Sequence, residues 1–146
     1  MTWSPNVVVV GIDGSERSVR AAQVAADLAR CHGAKLFVVT VVRPPEGWWG
    51  IVGSPPPADA LASSMSEAQR SILDVAVGSM NLEGVDWEAS EEIGEPAAAL
   101  ADLCREKDAD VLVVGRRGAG VVERLVMGSV ADRAAHYSPC PVLIVP

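Results

Sequence analysis

The sequence predicts an α/β domain in which five parallel strands are doubly wound, with helices on both faces, and three observations carry that expectation. Short runs rich in β-branched residues alternate along the chain with stretches of helical period, which is how successive βαβ units read. Three of the runs are apolar at consecutive positions, as strands covered on both faces must be. Glycine-containing loops follow the first and fourth runs, where right-handed crossovers bring two strands side by side and an open sheet reverses its winding.

Val7 to Ile12, Ala34 to Val42 and Val111 to Gly115 are the runs with apolar residues at successive positions and belong at the sheet centre. Val85 to Glu92 instead alternates, with Val85, Trp87 and Ala89 opposed to Asp86, Glu88 and Ser90, and reads as an edge strand with one side in water. Val142 to Val145 is short and apolar, and chain order sends it to the opposite edge, where unpaired backbone groups invite a second copy; the plainer alternative is a strand covered by its own helices.

Ser18 to Cys31 carries Val19, Ala22, Ala26 and Ala29 on one face, a small-residue stripe that lets a helix sit close to a sheet. Leu61, Met65, Ala68, Ile72 and Val75 mark a second helix. Pro96 suits the first turn of a third, followed by Leu100, Leu103 and Cys104, and Ser129 to Tyr137 is a fourth, with Val130, Ala134 and Tyr137. Arg43 to Pro57, rich in proline and glycine and carrying Trp48 and Trp49, is a long irregular connection that reads either as a lid or as a stiffened surface loop.

With 146 residues, 49% of them hydrophobic and 21% charged, residues 1–146 read as one domain with an aliphatic core. A net charge of -7 opposes nucleic acid as a partner. The opening MTWSPN has no basic segment ahead of its short apolar run, so neither a signal peptide nor a membrane span is expected and the reading is cytoplasmic. Three cysteines without CxxC spacing and two distant histidines do not suggest a disulfide framework or a zinc site, and Cys140 reads as a small buried residue rather than a nucleophile.

The chemistry lies in the glycine loops. Gly11, Ile12, Asp13 and Gly14 follow the first strand; Gly115, Arg116, Arg117, Gly118 and Gly120 follow the fourth, and Gly128 with Ser129 then opens a helix. Glycines there let several backbone amides converge on one oxyanion, and the first turn of the helix adds free amides and the positive end of its dipole. Ser129 adds a hydroxyl donor or serves as a plain N-cap. Asp13 beside phosphates is repulsive unless a hard dication lies between them, so it is the candidate Mg2+ ligand; it also resembles a capping box with Glu16. Arg116, Arg117 and Arg124 form a local basic cluster. A Walker A loop fails because Val121 and Val122 stand where lysine and serine or threonine are needed, a dinucleotide fingerprint fails at Glu123, and no GxSxG elbow occurs.

These residues resemble the universal stress protein family over essentially the whole chain. Gly115, Gly118, Gly128 and Ser129 fit the Gly-x2-Gly-x9-Gly-[Ser/Thr] pattern of its ATP-binding branch, and VVVVGIDGSERS, GEPAAALADLCREKDADVLVVGRRG and SPCPVLIVP look like family blocks. The resemblance implies a sheet ordered 3-2-1-4-5 and a homodimer through the last strand, Val142 to Val145. It implies that Gly11, Ile12 and Asp13 lie by the nucleotide and metal, and Val41 by the adenine. Gly115, Arg117 and Gly118 would follow the ribose and phosphates, and Gly128, Ser129 and Val130 would hold the phosphates. The expected function is a stress or signalling regulator that binds ATP with Mg2+ without efficient turnover. Slow ATP hydrolysis or phosphotransfer, cyclic AMP binding, and a pure protein-interaction module remain alternatives.

Overall fold

A computed structural model describes residues 2–43, 58–116 and 127–146, with side chains omitted for 58–66. The element order is β1 (Val7–Ile12), α1 (Glu16–His32), β2 (Lys35–Val42), α2 (Ala58–Ser79), β3 (Asp86–Ile93), α3 (Pro96–Glu106), β4 (Val111–Gly115), α4 (Ser129–Tyr137) and β5 (Val142–Val145). The strands form one five-stranded, all-parallel sheet in the order β3-β2-β1-β4-β5, as expected. Val8, Val9 and Val10 of β1 lie between Leu36 to Val38 of β2 and Val111 to Val113 of β4 and are fully buried, so the continuous apolar runs do mark the centre.

Alternation along the strands splits the core in two. Val8, Val10, Ile12, Leu36, Val38, Val111 and Val113 meet α1 and α2, through Ala21, Ala22, Ala25, Ala26, Ala29, Leu73 and Ala76. Val9, Phe37, Val39, Leu112 and Val114 meet α3 and α4, through Leu100, Leu103, Cys104, Ala131 and Ala134. Each fully buried valine or leucine contributes roughly 1.5–3 kcal/mol relative to exposure.

Several local expectations are corrected. Helix α1 starts at Glu16 rather than Ser18, because Ser15 is its N-cap and accepts from the Ser18 amide at 3.2 Å. In α2 the buried face is Gln69, Leu73 and Ala76, whereas Ala68 is exposed and Val75 is 59% exposed. A polar residue takes the inner position because Gln69 Nε2 donates to the Thr40 carbonyl at 3.3 Å and the Glu92 carbonyl at 2.6 Å, tying the ends of β2 and β3. Strand β3 begins one residue later than expected, as Asp86 pairs with Lys35, and both of its faces are largely exposed, Trp87 included. In α4 the inner residues are Ala131 and Ala134, while Tyr137 faces out.

Candidate functional site

At the carboxyl ends of the central strands, a concavity of about 480 Å³, counting its open mouth, is lined by Gly11, Ile12, Asp13, Val39, Val41, Pro96, Leu100, Val114, Gly115 and Val130. Its floor is the α3/α4 side of the sheet: Val39 and Val41 project from β2, Val114 from β4, and Leu100 and Val130 close it from α3 and α4. β1 supplies no side chain at Gly11, and Leu100 takes the room this leaves: a Cβ at that position would stand 2.7 Å from Leu100 Cδ1. Gly115 makes a different close approach, since a Cβ there would lie 3.2 Å from the Arg17 backbone at the start of α1.

The loop after β1 is held by its own side chains. Asp13 Oδ1 accepts from the Ser15 amide at 2.9 Å, an Asx turn, and the Asp13 amide donates to Ser18 Oγ at 3.2 Å. The capping box of Asp13 with Glu16 is therefore replaced by Ser15 as the cap, with Asp13 two residues earlier on the rim of the concavity.

Helix α4 begins where β4 ends. The Arg116 amide donates to the Val145 carbonyl at 2.7 Å, and the Gly128 amide donates to the Arg116 carbonyl at 2.8 Å, so Gly128 is pinned beside the end of β4. Gly128 is the N-cap of α4, with φ -64° and ψ 157°, and brings no side chain to cap that turn, and Ser129 opens the helix as an exposed residue. Among the described residues no side chain accepts from the first-turn amides at Ser129 and Val130, which stand at the helix end whose Val130 lines the concavity. The Nε of Arg116 is buried and has no hydrogen-bond partner among the described residues.

A charged clasp borders the other side. Glu95 caps α3 by accepting from the Ala98 amide at 2.8 Å, and its other oxygen meets Arg43 Nη2 at 3.4 Å and Arg133 Nη1 at 3.2 Å. Burial alone would push this carboxyl up, but the amides of Ala98 and Ala97 together with Arg133 outweigh it and hold Glu95 below the usual carboxylate range. The clasp joins three elements that each line the concavity next door, through Val41, Pro96 and Val130.

Of the residues singled out from sequence, Gly11, Ile12, Asp13, Val41, Gly115 and Val130 come together around this space. Gly128 and Ser129 stand next to it, and Arg117, Gly118 and Arg124, like Trp48 and Trp49, lie outside the described residues. Sequence reasoning missed Val39, Pro96, Leu100 and Val114 as lining. Their signal was present in the two-residue alternation from Val41 back to Val39 and in the helix positions of Pro96 and Leu100, which had been assigned only to packing.

A family model described as the universal stress protein family matches residues 6–146. A universal stress protein of Thermus aquaticus is 34% identical over 139 residues, spanning 94% of this chain and 96% of its own. A crystal structure of a universal stress protein in complex with cAMP is 31% identical with a TM-score of 0.70, covering 99% of both chains. The universal stress protein from Archaeoglobus fulgidus in complex with dAMP is similar in fold, with 23% identity, a TM-score of 0.63 and full coverage of both chains.

Proposed function

Because this chain belongs to the universal stress protein family, we propose that it is a regulator in stress or signalling that binds ATP with Mg2+ in the concavity at the carboxyl ends of β1, β2 and β4. The observation that carries the reading is the convergence of Gly11, Ile12, Asp13, Val41, Gly115 and Val130 on one space with an aliphatic floor and polar rim. The purine rests on Val39, Val41 and Leu100. The phosphates run toward the first turn of α4, where Gly128, Ser129 and Val130 offer amides and a hydroxyl. Arg117 and Gly118 belong to the same loop by the glycine spacing.

Asp13 fits a magnesium site as one ligand and no more. Among the described residues no group of three or more acidic, histidine or cysteine side chains gathers, so an ion there draws its other ligands from phosphate oxygens and water, as Mg2+ commonly does. Its chemistry is to neutralise phosphate charge next to a carboxylate.

The same reading takes residues 1–146 as one cytoplasmic domain that pairs with a second copy through β5, an edge strand whose Leu143 is 40% exposed. No helix among the described residues is long and apolar enough to cross a membrane. The ligand acts as a signal rather than as a substrate turned over efficiently.

A second reading is cyclic AMP as the ligand, favoured by the 31% identical protein solved with cAMP. Mass analysis of nucleotide released from freshly purified protein, then calorimetry with ATP, ADP and cyclic AMP with and without Mg2+, separates the two. ATP binding that weakens at least tenfold without Mg2+, and in Gly118→Ala, is the expected result. Tighter binding of cyclic AMP than of ATP would establish the second reading, and no binding of any adenine nucleotide would sink both.

A further inference from the structure

We infer that the sheet margin at β3 is a docking strip for a basic, extended protein segment, which adds as a further strand with lysine or arginine at alternate positions. The sheet order ends at β3, and among the described residues no strand pairs with its outer side. The Gly94 amide donates to the Val42 carbonyl at 3.0 Å, so Gly94 turns its backbone groups toward β2. Alternation through the unbroken register then points the amides and carbonyls of Trp87, Ala89 and Ile93 away from β2, at the margin. An edge of this kind is a template on which another chain can pair.

The two faces of the strip differ in chemistry. Register sets Trp87, Ala89, Glu91 and Ile93 beside Leu36, Val38, Thr40 and Val42, on the side of α1 and α2. Trp87 is 37% exposed and Ile93 53%, so this side offers apolar surface to solvent. Asp86, Glu88, Ser90 and Glu92 stand on the other side, with Phe37 and Val39. There Lys35 Nζ reaches Asp86 at 3.1 Å and Glu88 at 3.3 Å, one ammonium for two carboxylates, and those side chains remain 77% and 60% exposed.

These features select the occupant. A strand added at the margin places its successive side chains alternately on the same two faces. Lysine or arginine at every second position then lies beside Asp86, Glu88 and Glu92, and the apolar residues between them lie beside Trp87 and Ile93. An acidic segment, a second β3 included, sets carboxylate against carboxylate and is turned away. Main-chain hydrogen bonds supply the affinity, and the spacing of the charges supplies the specificity. No described residue of β3 lines the concavity, so docking here does not presuppose a bound nucleotide.

The test uses the full-length protein and an acetylated, fluorescein-labelled peptide of alternating lysine and valine, eight residues long to match β3. Fluorescence anisotropy at roughly 0.15 M salt compares it with a peptide of the same composition in two blocks and with one that has proline for valine. The alternating peptide should bind at least about tenfold more tightly than either, because blocks keep the charge but lose the spacing, and proline removes amide donors. Asp86→Asn/Glu88→Gln should weaken it about fivefold, while Asp102→Asn/Asp132→Asn, the same charge change at exposed helix positions, should alter it less than about twofold. At saturation, hydrogen exchange read by NMR should slow at least about tenfold at the amides of Trp87 and Ala89. Absence of binding, equal affinity for the block peptide, equal loss in both double variants, or unprotected amides at Trp87 and Ala89 would overturn the proposal. Protection of those amides in the free protein that disappears on dilution would overturn it as well, since a second copy would then cover the margin.

Discussion

The two faces of the sheet are built from the same strands, yet one is closed and the other holds the concavity. On the α1 side, Ala21, Ala22, Ala25, Ala26 and Ala29 let the helix approach so closely that Arg17 lies 3.2 Å from where a Gly115 Cβ would be. On the α3/α4 side Leu100 and Leu103 pack beside the smaller Cys104, Ala131 and Ala134, and Leu100 reaches into the room that Gly11 leaves on β1. Small residues on a helix bring it in and seal a face. On the other face a leucine fills the place opposite the strand glycine, and the concavity lies beside it among Val39, Val41, Val114 and Val130.

The comparison breaks most readily at Ala26. Ala26→Leu should cost about 3 kcal/mol in urea unfolding, because no space exists at a fully buried position beneath a close helix, whereas Val130→Ile at the concavity should cost under about 1 kcal/mol. Equal costs would mean that the faces do not differ in tightness. Gln69→Leu comes next, at about 2 kcal/mol, since it strips a donor from the Thr40 and Glu92 carbonyls. Gly11→Ala should cost about 1.5 kcal/mol by driving a methyl onto Leu100, and pairing it with Leu100→Ala should cost less than the two changes summed, a coupling readable in a double-mutant cycle.

Glu95→Gln tests the clasp at the open face. A carboxyl held below its unfolded value stabilises above the ordinary carboxylate range and loses that contribution as the pH falls through the lower folded value. Wild type should therefore exceed Glu95→Gln by about 1 kcal/mol at pH 7, and the gap in melting temperature should close in acid below roughly pH 4. The smallest effect is expected on the sealed face: Thr40 Oγ1 is buried without a hydrogen-bond partner among the described residues, so Thr40→Val should raise stability by about 0.5 kcal/mol.

How legible this was in the sequence followed how local each cause is. The central strands were readable because burial on both faces forces consecutive apolar residues, and Val7–Ile12, Val111–Gly115 and Val142–Val145 have the bounds expected of them. The inner face of α2 was not, because Gln69 is buried to serve carbonyls on β2 and β3, partners far away in sequence, while apolar Val75 turns outward. Asp13 was readable as a rim residue but not as an Asx turn, which depends on Ser15 taking the cap. The glycine loops announced which strand ends the concavity would occupy. Its far wall, Pro96 and Leu100, follows from how α3 leans on the sheet, a tertiary fact.

Strand β3 packs four carboxylates, Asp86, Glu88, Glu91 and Glu92, into eight residues, and Lys35 answers two of them. Two molecules brought together along this margin would set negative charge against negative charge, while β5 at the far margin carries none. The acidic strand therefore works against edge-to-edge joining on its own side of the sheet, where each added strand would bring more carboxylates into the same narrow strip.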